Sequence, residues 1–213
     1  MSAAIETVGL ANALRALANG HVVVMYDERH DRADLVAAAE LTTSDVVNLM
    51  AREGRGFVAV ALTRERVAAL GIATMRVDGR RQAGPRDRSL PLVPIEARSG
   101  VTTGISAADR AQTIRMAASG ARSPADLVTP GHVFPLEAAA GGLLERHGRV
   151  EAAVDAVRLG GYTPAATLCD LLTGDGELGT LDDAVELSER VGLPRFSIGT
   201  LADARLDDVW AEA

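Results

Sequence analysis

The sequence of 213 residues contains no lysine, so its 22 basic residues are all arginines. Without a lysine amine, Schiff-base mechanisms of the aldolase or pyridoxal-phosphate kind are excluded. A Walker A loop is excluded for the same reason, because its lysine contacts the phosphates. Arginine still suits the recognition of carboxylates and phosphates, because its planar group forms two parallel hydrogen bonds.

Cysteine, histidine and aromatic residues are scarce as well. The single cysteine, Cys169, excludes a disulfide within the chain and a cysteine-rich zinc site. Histidine occurs at only four positions, so a metal site would have to combine some of these imidazoles with carboxylates. Aromatic residues make up 3% of the sequence, and the core therefore has to be built mainly from alanine, valine, leucine and isoleucine.

Long apolar runs and a positive net charge are also absent. No run approaches the roughly 20 apolar residues that span a bilayer, and the N-terminus lacks a basic segment followed by an apolar one. We therefore predict a cytoplasmic protein without a membrane partner. The net charge of −7 also argues against nucleic-acid binding, which needs a basic surface.

The hydrophobic pattern predicts an α+β fold in a single domain that spans residues 1–213. Helical and strand-like segments alternate irregularly, which favours a mixed sheet covered by helices over a regular doubly wound fold. Residues 78–91, rich in Gly, Pro and Arg, are predicted to form a long surface loop. Helices are predicted at residues 5–18, 44–54, 63–70, 107–120, 150–159, 181–191 and 201–210, and strands at residues 21–26, 56–62, 92–97, 165–171 and 195–198.

Two segments in the first half of the chain are candidate functional sites. Residues 27–34 (DERHDRAD) carry seven ionisable groups after a predicted strand, where neighbouring charges shift pKa values, although a charge run is more often a solvated loop. Residues 100–110 (GVTTGISAADR) lead into a helix, where amide groups and the hydroxyls of Thr103 and Ser106 suit an anion. A simple helix cap explains this second segment equally well.

Three further candidates lie in the second half of the chain. Residues 130–136 (PGHVFPL) place His132 in a predicted rigid loop, a suitable platform for a general base, although a lone histidine is more often structural. Residues 145–151 (ERHGRVE) form another candidate anion site ahead of a helix. Asp170, near the end of a predicted strand, is either a functional carboxylate or a turn residue.

The order and spacing of these segments, together with AGG at residues 140–142, resemble those of 3,4-dihydroxy-2-butanone 4-phosphate synthases. The resemblance implies a three-layer α+β homodimer with active sites near the subunit interface. It also implies the conversion of ribulose 5-phosphate into a dihydroxyketone phosphate and formate with a divalent cation, usually Mg²⁺. Matching positions imply that Arg29, Asp34 and Arg146 bind the substrate and that His132 is essential.

The sequence departs from the family pattern at the positions of the metal ligands. The family's metal-binding glutamate corresponds to His30, and its metal-binding histidine corresponds to Arg149, whose guanidinium cannot ligate a cation. An essential glutamate corresponds to Asp170, and Val150 replaces a hydroxyl-bearing residue. We therefore predict that no metal is required, and His30 is the only matching ligand position that can bind one. Mg²⁺ or Mn²⁺ is the expected cofactor if the family's metal dependence persists.

This pattern leaves three hypotheses for the function. The first is a diverged enzyme that enolises, dehydrates or rearranges a ribulose 5-phosphate-like sugar phosphate or related hydroxyketone in a specialised pathway, with Arg149 supplying the positive charge of the metal. The second is a genuine synthase of riboflavin biosynthesis, and the third is a non-catalytic homodimer that binds a small molecule. The predicted catalytic residues are His132, Asp170, His30 and Asp34, and the predicted substrate-binding residues are Arg29, Asp34, Arg146, His147, Gly148, Arg149, Thr103 and Ser106.

Overall fold

A mixed sheet runs through the computed structural model, which describes residues 2–75 and 92–212 and, within them, the side chains of residues 9–75 and 92–206. The predicted loop at residues 78–91 lies outside the described residues. In chain order, the described strands are β1 Val23–Asp27, β2 Arg32–Ala38, β3 Arg55–Thr63, β4 Ile95–Ala97, β5 Leu127–Ala138, β6 Ala165–Leu171 and β7 Arg195–Ser197. The described α-helices are α1 Ser2–Ala18, α2 Ser44–Leu49, α3 Arg64–Ala69, α4 Ala107–Ala118, α5 Arg149–Leu159, α6 Leu181–Val191 and α7 Ile198–Glu212.

The strands pair in the order β4-β5-β3-β6-β2-β1-β7. The β1–β2 hairpin is antiparallel and continues into antiparallel β6 and β3, whereas β3–β5 and β1–β7 are parallel pairs. The parallel and antiparallel pairs together make the sheet mixed, as predicted. The α+β class is confirmed by this topology.

Two buried clusters lie on opposite faces of the sheet, because successive residues of a strand point to opposite sides. On β2, for example, Leu35 belongs to one cluster and Val36 to the other. Helices α2, α4 and α6 contribute to the first cluster, and α1, α5 and α7 contribute to the second. The sheet therefore has helices on both faces, which gives three layers. None of the helices in the described ranges is both long and apolar enough to cross a membrane.

Most elements agree with the sequence prediction, and two segments correct it. Strand β6 and helix α6 have the predicted bounds. The predicted helix at residues 44–54 is α-helical only to Leu49 and continues as a π-helix, Met50–Gly54. Residues 27–34 are not wholly a loop, because β2 begins at Arg32 and pairs directly back onto β1.

The prediction of a rigid loop at residues 130–136 is wrong, since this segment lies within β5. Proline lacks the amide proton that a central strand needs, so Pro130 and Pro135 favoured a loop in the sequence. The register between β4 and β5 shifts where Ile95 pairs with Val133 and Glu96 with Val128. Pro130 falls within this irregularity, where a missing ladder bond is tolerated, and such irregularities re-aim side chains next to active sites.

Candidate active site

A cluster of two aspartates and an arginine lies where β2, β6 and the first residue of α5 meet. Antiparallel pairing of β2 and β6 places Asp34 directly opposite Asp170. Arg149 begins α5, and its Nη1 donates to Oδ1 of Asp170 at 2.6 Å and also to Oδ1 of Asp34. Both contacts are charge-assisted hydrogen bonds. We refer to Asp34, Arg149 and Asp170 as the acid–arginine cluster.

Burial dominates the electrostatics of this cluster. The Asp34 side chain is 1% exposed, against 22% for that of Asp170. Burial raises the pKa of Asp34 to about 6, the charge of Arg149 counteracts this rise, and the neighbouring Asp170 adds to it. One guanidinium thus serves two carboxylates. Among the described residues, the buried Oδ2 of Asp34 has no hydrogen-bond partner.

The raised pKa of Asp34 predicts a pH-dependent stability difference for Asp34→Asn. The folded-state pKa of about 6 lies above the ordinary value of 3.8, so the stability linked to this proton is present below pH 4 and is lost as the pH rises through 6. Because asparagine has no such proton, the free energy of unfolding of the variant minus that of the unmodified protein should increase from pH 4 to pH 7. The increase should be on the order of 2–3 kcal/mol, measured by urea titration.

The matched control for this measurement is Asp203→Asn, which removes an exposed carboxylate from α7. Its difference from the unmodified protein should stay nearly constant over the same pH range, because surface substitutions have small effects. A difference for Asp34→Asn that shrinks with rising pH would show that Asp34 is stabilised as a carboxylate in the folded protein.

A second constellation joins His132 of β5 to Glu96 of β4. Oε2 of the largely buried Glu96 lies 2.7 Å from Nδ1 of His132, and its Oε1 accepts a hydrogen bond from the Thr113 hydroxyl at 3.2 Å. An ionised Glu96 keeps the proton on Nδ1, which leaves Nε2 as the basic nitrogen of the ring. The His132 side chain is 44% exposed, so a substrate can reach it. This His132–Glu96 pair has the form of an oriented general base.

Strand register brings the acid–arginine cluster and the His132–Glu96 pair to the same edge of the sheet. Ala59 of β3 pairs with Phe134 on one side and with Leu168 on the other. His132 lies two residues before Phe134 on β5, and Asp170 lies two residues after Leu168 on β6. Because β5 runs parallel to β3 and β6 runs antiparallel to it, both residues are displaced from this row toward the same edge of the sheet. Only β3 separates these two strands, which corresponds to a spacing of about 10 Å between their backbones.

Residues 145–151 contain the best-anchored candidate for substrate binding. Nε of Arg146 donates to Oε1 of the buried Glu151 at 2.8 Å, and its Nη2 donates to the carbonyl oxygen of Glu137 at 2.9 Å. These contacts fix the direction of the guanidinium. Gly148 is the N-cap of α5, and the buried Nδ1 of His147 has no hydrogen-bond partner among the described residues.

The charged residues 27–34 are tied mostly to one another and to helix ends. Asp27 accepts from the amide of Arg29 at 3.0 Å and pairs with Nδ1 of His30 at 2.8 Å. Glu28 accepts from an amide in the first turn of α7, and Asp31 accepts from the first amide of α6. The described contact of His30 is therefore with Asp27, and the structure does not bring His30 into the acid–arginine cluster.

The segment at residues 100–110 forms a capped helix start, as one of the two interpretations predicts. Ser106 is the N-cap of α4 and accepts from the amide of Asp109 at 3.0 Å. The Asp109 carboxylate in turn accepts from the amide and hydroxyl of Thr102 and from the amide of Gly104. These donors are thus occupied by a carboxylate of the chain itself, while Thr103 is exposed. Substrate binding by Thr103 and Ser106 stays a prediction.

Sequence reasoning missed Glu96 and Glu151. Both are buried carboxylates that orient a predicted site residue. The signal for Glu96 was present, because a glutamate inside the apolar strand at residues 92–97 is unusual unless its charge has a partner. The prediction of an anion site at residues 145–151 rested on the basic side chains alone and did not include the anchoring role of Glu151.

The family model for 3,4-dihydroxy-2-butanone 4-phosphate synthase matches residues 11–204. The chain belongs to this family. A 3,4-dihydroxy-2-butanone 4-phosphate synthase from Ralstonia nicotianae is 43% identical over 198 residues, covering 92% of this chain and 86% of the relative. The chain is therefore similar to a synthase over nearly its whole length, and it is an enzyme of the dihydroxybutanone phosphate synthase family.

Solved structures of synthases are similar to the fold described above. A two-domain synthase from A. baumannii is 36% identical with a TM-score of 0.83, and the match covers 90% of this chain but only 56% of that protein. A synthase in complex with two magnesium ions is 35% identical with a TM-score of 0.80, covering 90% and 94% of the two chains. The three-layer α+β architecture is thus that of the dihydroxybutanone phosphate synthase family.

The acid–arginine cluster does not suit a metal ion while the Arg149 guanidinium occupies it. The sequence resemblance implies that Arg149 stands at the position of the family's metal-binding histidine, and in the structure its guanidinium is bonded to Asp34 and Asp170. A guanidinium offers only donors and cannot ligate a cation. The described ranges contain no group of three or more His, Cys, Asp or Glu side chains that could hold a metal ion.

Proposed function

We propose that this family member acts on ribulose 5-phosphate or a closely related ketose phosphate and removes a proton from a carbon next to the ketone. The observation that carries the proposal is the His132–Glu96 pair, an exposed imidazole fixed by a buried carboxylate at 2.7 Å. Proton abstraction beside a carbonyl requires a base whose lone pair is held in one direction. The synthase relatives provide the substrate class.

In this proposal, Nε2 of His132 takes the proton. The electron pair of the broken C–H bond forms a carbon–carbon double bond, and the carbonyl electrons move to the oxygen to give an enediolate. Arg149 is the proposed donor to the enediolate oxygen, because its guanidinium places a permanent positive charge beside Asp34 and Asp170. His30 and Asp170 are proposed as further proton-transfer groups.

Binding of the phosphate and hydroxyl groups is assigned in the same proposal to the basic side chains of the site. Arg146 is held by Glu151 and by a backbone carbonyl, which suits a fork that has to meet an anion in one orientation. Arg29, His147 and Gly148 are the other proposed contacts.

We also keep a homodimer of single-domain chains as a prediction, to be checked by sedimentation velocity.

A second candidate is the complete synthase reaction, in which ribulose 5-phosphate yields dihydroxybutanone phosphate and formate. The 43% identity to the R. nicotianae synthase favours it. The two candidates share the enolisation step and differ in the later steps of the reaction. They also differ in the expected role of Mg²⁺ or Mn²⁺, because Arg149 stands at a metal-ligand position of the family.

The decisive experiment incubates the purified protein with ribulose 5-phosphate in ²H₂O, with EDTA or with Mg²⁺, and follows proton NMR. We expect the signal of a hydrogen next to the ketone to be lost under both conditions. The proposed base His132 and the proposed positive group Arg149 are side chains, so EDTA does not remove them. Formate that appears only with Mg²⁺ would establish the synthase reaction instead. A sample without exchange and without products would contradict both candidates, and His132→Ala serves as the inactive control.

A further inference from the structure

We propose that Arg149 occupies a cation site between Asp34 and Asp170. The positive charge of this site then comes from a side chain of the protein, and no divalent cation binds there. A single nitrogen, Nη1, contacts one carboxylate oxygen from each aspartate, as a bridging cation does. The guanidinium and a metal ion therefore exclude each other.

The surroundings of the cluster fit this assignment. The two aspartates face each other across paired strands, so their separation is fixed by backbone hydrogen bonds. The buried Oδ2 of Asp34 has no hydrogen-bond partner in the described ranges, and it would be a further oxygen ligand if a cation replaced the guanidinium. Buried carboxylates without a counter-charge are strongly disfavoured, so this place in the fold requires a positive group of some kind.

The assignment predicts that a single substitution creates a metal site. Arg149→His removes the guanidinium and places an imidazole at the start of α5, next to Asp34 and Asp170. One imidazole and two carboxylates are ligands that Mn²⁺ accepts. The unmodified protein should show no Mn²⁺ binding at this place, because its guanidinium fills the space.

The experiment measures Mn²⁺ binding by electron paramagnetic resonance and calorimetry at neutral pH, without any substrate. We expect one bound Mn²⁺ per chain in Arg149→His, at least about tenfold tighter than in the unmodified protein, since loss of a ligand-supporting group changes metal affinity 10–100-fold. Asp34→Asn added to Arg149→His should abolish the gain. Arg190→His, at an exposed arginine paired with Glu53, is the matched control and should gain nothing.

Circular dichroism shows whether Arg149→His folds. If it folds only with Mn²⁺, the metal has replaced the missing charge and the proposal is supported. A folded Arg149→His that binds no Mn²⁺ would overturn it, as would Mn²⁺ binding by the unmodified protein that Asp34→Asn abolishes. Because no ketose phosphate is present, these outcomes are independent of the proposed reaction.

Discussion

Replacement of Glu96 by glutamine should lower the rate of hydrogen exchange on ribulose 5-phosphate by a factor on the order of 10²–10⁴. A glutamine amide can donate to Nδ1 of His132, and the ring then carries its proton on Nε2, where it cannot act as a base. His132→Ala should lose at least as much activity, because it removes the proposed base itself. Both variants are measured by the same NMR assay in ²H₂O.

A positioning role for Glu96 differs from a purely structural role in its kinetic signature. We expect Glu96→Gln to reduce kcat more than it raises KM, and we expect Glu96→Asp to recover part of the lost rate. Glu53→Gln is the matched control, because Glu53 forms exposed ion pairs with Arg52 and Arg190 away from this pair. Glu96→Gln with unchanged kcat and with the pH profile of the unmodified protein would contradict the role assigned to Glu96.

The sequence predicted the helices and strands of this fold better than it predicted which strands pair with each other. The run at residues 165–171 is short and mostly apolar, as is typical of a buried strand, and turn residues flank it, so β6 was predicted with its observed bounds. Strand β2 was missed because charged residues open it, and a charge run is usually solvated. Without β2 in the prediction, the pairing of Asp34 with Asp170 had no basis, since the register between distant strands is not a local property.

For the candidate site, the sequence predicted single residues but not the partners that they contact. The motif at residues 130–136 made His132 a site candidate, which stays a prediction, and it gave no indication of the partner Glu96, which lies 36 residues away on another strand. The sequence resemblance implied that Arg149 stands in place of the usual metal ligand. Its contacts with two carboxylates became visible only in three dimensions.

Replacement of Arg149 by methionine should destabilise the protein by about 3–5 kcal/mol at pH 7, because it leaves the buried Asp34 and the partly exposed Asp170 without their counter-charge. The loss should be smaller at pH 5, since the pKa of Asp34 is already raised to about 6 beside Arg149 and would rise further without it. Urea titration at both pH values measures the free energy of unfolding. Arg122→Met is the control and should cost less than about 1 kcal/mol, because both partners of the Arg122–Asp126 ion pair are partly exposed.

The double variant Arg149→Met with Asp34→Asn separates the loss of charge balance from the loss of packing. If unpaired charge causes the destabilisation, neutralising the more buried aspartate should restore most of the lost stability at pH 7, because only Asp170, which is 22% exposed, then lacks its counter-charge. If instead the contacts of the arginine side chain matter most, the double variant should be no more stable than Arg149→Met. Recovery at pH 7 without a comparable gain at pH 5 would identify the charge of Asp34 as the reason why this fold requires a cation at position 149.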